Sequence, residues 1–376
     1  MPDISDLRQK QALPLSAKVS MSQNRIREWY DYWNGDVYVS FSGGKDSTVL
    51  AHLVHDIYPN VPLVFSNTGL EYPEIQSFAR KMGAEFVRPK MRFDEVISKY
   101  GYPIISKETS EAICVARLLK KIRNPEKIWK WTPQKRAELM GKRKKNESEQ
   151  TGKSIYNKSK WLPLCQETQF LISNKCCIVM KKHPLENYHK ETKRYPIIGT
   201  LAEESKLREQ KWLQNGCNAF EAKKKTSQPM SFWLEQDILQ YINDRGLEIA
   251  SVYGDIVTTD NDGMEYNTLL TTCGKLKCTG CQRTGCIFCG FGVHLEKGET
   301  KFQRLAKTHP KQYDYCLNGG QWVDNPQYDQ TVPKYDGDWK NWNPKKIWVP
   351  SKKGLCMKKV FDDCNQIYGK DFIRYE

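Results

Sequence analysis

Three groups of residues in this 376-residue chain have types and spacings suited to chemistry. The first is Ser42-Gly43-Gly44-Lys45-Asp46-Ser47. Paired glycines let the backbone turn its N–H groups onto a bound anion, a lysine adds a full charge, and the two serines add hydroxyl donors. The second is sulfur: Cys176-Cys177, Cys278-x-x-Cys281 and Cys286-x-x-Cys289. Cysteines three apart can grip one ion or cluster, and glycines 280, 285, 290 and 292 permit the tight turns this needs. The third is Glu204, Ser205 and Arg208, which offer a carboxylate, a hydroxyl and a fixed fork of donors.

These residues need elements to hold them. Val37–Phe41 is an apolar run that reads as a buried strand, and the pattern after the Gly-Gly turn is helical from about 47 to 57, until Tyr58-Pro59-Asn60 ends it. A strand that runs into a glycine turn and then a helix places an anion at the helix's positive end. Residues 61–65 form a second apolar strand, Pro73 suits the first turn of another helix, and 85–88 is a third strand. The order β-α-β-α-β implies an α/β fold with a doubly wound, mostly parallel sheet. Ligands bind such sheets at the strand ends, so Asn67, Gly69 and Glu71 are expected to face the same crevice as the glycine loop. Residues 195–200 read as a strand that presents Glu204, Ser205 and Arg208 on the helix that follows; a plain Glu204 to Arg208 pair on a helix face is the alternative.

Elsewhere the pattern is less regular. Residues 1–20 read as a loose arm, followed by a helix at 22–33 with Ile26, Trp29, Tyr30 and Trp33 at helical spacing. Residues 223–229 are polar and broken by proline. The expected division is therefore a nucleotide-binding domain at 1–225 and a helical, Cys-rich, mainly irregular region at 226–376. Phe232, Trp233, Ile238, Leu239 and Ile242 suit an amphipathic helix, and the last fifty residues read as an irregular tail wrapped on the surface.

The formal net charge of +15 favours a polyanionic partner. Between Arg117 and Lys160, fifteen lysines and arginines stand against four glutamates, with Trp129, Trp131 and Tyr156 among them. A mobile loop containing Lys142, Arg143, Lys144 and Lys145 is a candidate nucleic-acid contact, and a solvated insertion is the alternative. No stretch comes near the roughly 18 uninterrupted apolar residues of a membrane span, so a cytoplasmic protein without membrane contact is expected. Thirteen cysteines in that compartment argue for metal or redox chemistry before disulfides.

Spacing alone leaves the metal open. A zinc ribbon would use Cys278, Cys281, Cys286 and Cys289. An iron–sulfur cluster would take Cys286 and Cys289 with Cys176 and Cys177. Cys273, Cys278, Cys281 and Cys316 would then be available for a second site.

The Ser-Gly-Gly-Lys-Asp-Ser loop resembles that of the PP-loop superfamily, whose members bind ATP and cleave it between the α- and β-phosphates, or bind a sulfonucleotide. The order of the later motifs (Asn67-Thr-Gly-Leu-Glu-Tyr-Pro-Glu74, Cys176-Cys177, Gly199 to Arg208, the Trp233 helix, Gly285-Cys-x-x-Cys289) is similar to the PAPS reductase family. The resemblance implies an adenine nucleotide at Ser42, Gly43, Gly44, Lys45, Asp46, Ser47, Asn67, Gly69, Glu71, Glu204, Ser205 and Arg208. It also implies a [4Fe-4S] cluster on Cys176, Cys177, Cys286 and Cys289. The chain departs from the family at three places. Asn67 replaces an aspartate, Leu201 replaces an arginine, and the C-terminal Glu-Cys-Gly-Leu-His that carries the attacking thiol is absent.

The resulting expectation is an enzyme that uses ATP and Mg²⁺ to adenylate its acceptor, with Lys45, Asp46 and Arg208 as catalytic residues. It would pass sulfur to nucleic acid (tRNA or DNA), with a cysteine desulfurase as one kind of sulfur donor. Two alternatives stand beside it: reduction of PAPS or APS with Cys356, Cys364 or Cys316 as the nucleophile, and a non-enzymatic nucleic-acid-binding module on the same scaffold.

Overall fold

A computed structural model describes residues 3–118, 125–142, 156–259, 265–267, 274–332 and 342–376. Two compact units are interleaved along the chain: residues 1–89 with 181–286, and 90–180 with 287–376. The units thus differ from the single expected division after residue 225. Strand Tyr195–Ile198 pairs with Val37–Phe41, strand Thr226–Ser227 pairs with Tyr195–Ile198, and helix Glu235–Arg245 packs on helix Lys45–His55. Residues on both sides of 225 therefore share one core.

The first unit is built on a six-stranded sheet. Its spatial order is Glu85–Val87, Leu63–Ser66, Val37–Phe41, Tyr195–Ile198, Thr226–Ser227, Asn218–Ala219, with every pairing parallel except the last. Val37, Tyr38, Val39 and Phe41 are all buried, as a central parallel strand covered on both faces must be. Val39 lies opposite both Leu63 and Ile197, so strand order reverses on either side of Val37–Phe41. That reversal opens a crevice at the strand ends, where the Ser42–Ser47 loop emerges. Helix Lys45–His55 buries Val49, Leu50, Leu53 and Val54 completely.

The N-terminal residues are helical, in contrast to the loose arm expected. Asp3 and Asp6 form a reciprocal capping box that starts helix Ile4–Gln11, and helix Leu15–Tyr32 follows. The polar composition hides an inward face. Lys18 is 1% exposed and its ammonium donates to Asp237 at 2.6 Å, while Ser22 accepts from the Trp233 indole at 2.9 Å. Phe232 and Trp233 are buried but precede the helix, which begins at Glu235.

The second unit holds helices Phe93–Tyr100, Lys107–Ala116 and Pro125–Leu139, a short parallel pairing of Gly290–Phe291 with Ile104–Ile105, and an ordered C-terminal segment. Arg117 is buried, with its guanidinium donating to the carbonyls of Leu164, Cys165 and Phe170 and stacked 4.4 Å from Trp342. Lys158 donates to Glu108 at 2.7 Å, and Lys135 to Glu138 at 3.2 Å. Part of the basic stretch is therefore taken up by internal pairs. The last fifty residues correct the expected tail: Lys346–Val349 completes an antiparallel hairpin with the preceding Gln321–Asp324, and Met357–Tyr368 is a helix with Met357, Val360, Phe361 and Cys364 buried. No helix among the described residues is long and apolar enough to cross a membrane.

Candidate nucleotide site

Gly43 adopts φ +70, and a Cβ there would meet the Ile75 Cγ2 at 2.8 Å, so both conformation and space require glycine. The turn hands the chain to helix Lys45–His55, whose N-cap is Gly44 with no side-chain cap. Its first N–H groups are therefore open to other acceptors. The Gly44 amide donates to Ser42 Oγ at 3.4 Å, and the Lys45 amide donates to the Tyr253 hydroxyl, also at 3.4 Å. Ser42 and Ser47 hydroxyls lie 3.0 Å apart, and Ser47 donates to the Gly44 carbonyl at 2.9 Å. Gly199 brings the neighbouring strand end close: a Cβ there would lie 3.1 Å from the Asp46 carbonyl oxygen.

A cavity of about 120 Å³ opens at this helix terminus, lined by Ser42, Gly44, Lys45, Asp46, Leu201, Glu203, Glu204, Glu235, Tyr253, Gln282, Arg283 and Thr284. Lys45 is buried and its ammonium is ion-paired with Glu235. Burial raises the Asp46 carboxyl above its ordinary value; Lys45 opposes the rise, Glu235 adds to it, and Arg283 and Arg208 oppose it. Arg208 forms an i,i+4 ion pair with Glu204, and burial lowers its pKa while Asp46 raises it. Ser205 caps the following helix, accepting the Arg208 amide at 3.4 Å. The pairing alternative for Glu204 and Arg208 thus coexists with a place beside the cleft.

A second cavity of about 130 Å³ lies at the ends of the Val37–Phe41 and Leu63–Ser66 strands, with Phe41, Phe65, Ile75 and Leu185 as apolar walls and Ser66, Glu71 and Lys181 as polar ones. Ser42 and Thr284 line both cavities. An apolar slot beside an anion cradle is the arrangement a nucleotide needs. Glu71 accepts from the Thr68 hydroxyl at 2.6 Å and the Thr68 amide at 3.1 Å. Asn67 accepts the Gly69 amide at 3.1 Å, and Gly69 has φ +73. Glu71 reaches the cavity wall, whereas Asn67 and Gly69 shape the turn behind it.

Six polar residues on the wall of the first cavity escaped the sequence reading: Glu203, Glu235, Tyr253, Gln282, Arg283 and Thr284. Tyr253 and Thr284 are joined hydroxyl to hydroxyl at 2.6 Å. Arg283 and Thr284 stand between Cys281 and Cys286, a run valued for its sulfurs alone.

The cysteines divide between the units. Cys176, Cys177 and Cys289 belong to one, and Cys278, Cys281 and Cys286 to the other. Cys176 and Cys177 sulfurs are 4.0 Å apart. Cys278 and Cys281 flank a turn whose Gly280 and Cys281 amides donate to the carbonyls of Tyr253 and Val252, and burial raises the Cys278 thiol. Among the described residues, no group of three or more His, Cys, Asp or Glu side chains is placed to hold a metal ion. Cys273, Arg143, Lys144 and Lys145 lie outside the described residues; Lys142 is exposed.

The substitute nucleophiles are all buried, Cys356 less completely than the other two. Cys316 and Cys364 are fully enclosed, with thiols raised by burial, and Cys316 sits 3.6 Å from the Met357 sulfur. Both are excluded as accessible thiolates. Cys356 lines a cavity and has φ +49, a left-handed backbone uncommon for a side-chain-bearing residue.

The family model for the phosphoadenosine phosphosulfate reductase domain matches residues 36–166 and 141–290. Two uncharacterized proteins of Methanocaldococcus jannaschii are similar over short stretches. One is 28% identical over 103 residues (25% of this chain and 25% of the relative), the other 32% identical over 102 residues (26% and 21%). The chain thus spans a quarter or less of these curated relatives. Among solved structures, phosphoadenylyl-sulfate (PAPS) reductase from Candida auris, in a phosphate complex, overlaps 67% of this chain and 91% of its own. The identity is 13% and the TM-score 0.34.

Proposed function

The chain belongs to the phosphoadenosine phosphosulfate reductase domain family, and from that premise we propose that it is an ATP-using enzyme that activates an acceptor oxygen for sulfur transfer. The observation that carries the reading is the Gly43 turn. It opens an uncapped helix terminus into a cavity at the strand-order reversal, with Ser42, Lys45 and Asp46 on its walls. In the proposed reaction the acceptor oxygen attacks the α-phosphorus, the α–β bridging bond breaks, and pyrophosphate leaves with the electron pair. A sulfur nucleophile at the sulfide level then attacks the atom that bears the adenylated oxygen, and AMP departs with that oxygen.

The residues divide the work. Gly44 and Lys45 amides, with the Ser42 and Ser47 hydroxyls, hold phosphate oxygens. The Lys45 ammonium leaves Glu235 for the pyrophosphate as charge builds there, and Arg208 and Arg283 balance the outer phosphates. Mg²⁺ enters with ATP as part of the substrate. No step runs through a metal held by the cysteines. The basic composition supports a nucleic-acid acceptor, and a suitable sulfur source is a cysteine desulfurase, whose persulfide sulfur is brought to the sulfide level by a dithiol reductant that becomes a disulfide.

The test is product analysis of ATP turnover with and without tRNA or DNA. AMP and pyrophosphate support the reading; ADP and phosphate, or no turnover, reject it. One observation favours a second reading, sulfonucleotide reduction: the strained, cavity-lining Cys356. Sulfite release from PAPS that disappears in Cys356→Ser would establish it.

A further inference from the structure

The C-terminal hairpin carries a surface that the nucleotide chemistry leaves unused. Trp322 and Trp348 are direct partners across the antiparallel pairing, with ring centroids 5.3 Å apart at 69°. Alternation puts them on the face opposite Ile347 and Val349, which fill a core cluster with Leu171 and Trp342, packed further by Val323. The hairpin's inner face is therefore complete without the tryptophans, and Trp322 remains 44% exposed. The buried Trp348 Nε1 has no hydrogen-bond partner among the described residues.

Cavities flank the pair. One, of about 400 Å³, is lined by Trp348, Cys356 and Lys358; another, of about 300 Å³, by Trp322 and Gln169; Lys359 and Asp363 line both. The Lys359 ammonium lies 5.8 Å from the Trp322 ring and pairs with Asp363 at 3.1 Å. Along the chain, Lys345, Lys346, Lys352, Lys353, Lys358 and Lys359 follow one another with no acidic residue between positions 342 and 361. Lys345, Lys346, Lys352 and Lys353 are exposed.

We propose that Trp322 and Trp348, with the lysines around them, form a platform for an unpaired nucleic-acid strand. Indole faces stack on bases only where these are unstacked and splayed, while lysines follow the phosphates. Lys358 and Lys359 are paired with Glu376 and Asp363, but a purely apolar partner would make no use of the exposed Lys345, Lys346, Lys352 and Lys353, and a duplex would offer no base faces to the rings. The inference rests on the nucleic-acid part of the proposed function for its substrate class, and it needs nothing from the ATP chemistry.

The test uses the full chain and a labelled single-stranded oligothymidylate, with binding read by anisotropy and by quenching of tryptophan fluorescence. Trp322→Ala should weaken binding roughly 5- to 150-fold, the worth of one base–aromatic stack. Trp322→Phe should restore most of the loss, and wild-type fluorescence should fall as the strand binds. AMP formation from ATP without acceptor should be unchanged in both variants, which also shows that they fold. Equal affinity of Trp322→Ala and wild type, absence of quenching, or equal binding of duplex DNA would overturn the platform. So would a loss seen only on neutralising Lys142, Arg143, Lys144 and Lys145, which would move the contact to that segment. Trp322-dependent binding without AMP formation would leave the platform standing and reject the proposed function.

Discussion

The glycine loop and the cysteine set are both chemical motifs, yet the fold treats them differently. Ser42 to Ser47 lie within one turn, and every hydrogen bond described for that loop stays within one compact unit. The cysteines are drawn from both units and from sequence positions more than a hundred residues apart, and the two sulfurs described within 4.0 Å of each other, those of Cys176 and Cys177, are neighbours in the chain. A cradle made of consecutive backbone amides is organised by its own turn and helix. A thiolate set gathered from separate segments is organised only when everything else has folded, and its affinity for a metal is then coupled to that folding.

That contrast yields graded predictions. The largest effect should come from Gly43→Val, which puts a side chain both at φ +70 and against Ile75; ATP binding should be lost in calorimetry while the Cys176–Cys177 region keeps its reactivity toward thiol reagents. Lys45→Ala should lower the rate of AMP formation about 10²–10³-fold, as loss of one charge-stabilising donor does. A variant as fast as wild type would remove Lys45 from the mechanism.

On the sulfur side, the Cys176→Ala/Cys177→Ala variant should lose any iron and acid-labile sulfide present in anaerobically purified protein while retaining ATP binding. Zinc held equally by both proteins would instead assign the Cys278 to Cys289 region to a structural ion. A smaller change is expected at Tyr253, whose hydroxyl links the Lys45 amide to Thr284. Tyr253→Phe should cost about 0.5–1.5 kcal/mol, seen as a severalfold rise in KM for ATP.

The smallest effect is one of stability. Asp46 has a raised pKa, so the folded protein holds that proton more tightly than the unfolded chain does. Its ionisation therefore lowers stability as pH rises from the ordinary carboxylate value to the raised one, and the loss is constant above that. Thermal unfolding of Asp46→Asn should match wild type in acid and exceed it progressively through that window. A constant difference at all pH values would contradict the assignment.

The parallel sheet, the glycine turn and the nearness of Glu71, Glu204 and Arg208 to it were legible because each rests on a local pattern: apolar runs, Gly-Gly, Pro73. Glu235, Tyr253 and Arg283 were not legible. They reach the cleft through tertiary packing, and nothing in their immediate neighbours marks them as polar groups of a site. Lys18 and Arg117 show the same limit in the fold: both read as surface charge, and both are buried because Asp237 or a ring of carbonyls satisfies them. The C-terminal hairpin was hidden for a related reason, since prolines and lysines around Trp342 and Trp348 obscure the alternation that places Ile347 and Val349 inside.

The most direct test of the central claim is to incubate anaerobic protein with Mg²⁺ and ATP labelled at the α-phosphate, and to identify the labelled product in wild type and Lys45→Ala. The account predicts labelled AMP, or an adenylated acceptor, with matching pyrophosphate in wild type and a loss of about 10²-fold or more in the variant. Labelled ADP, or equal AMP in both proteins, would contradict it.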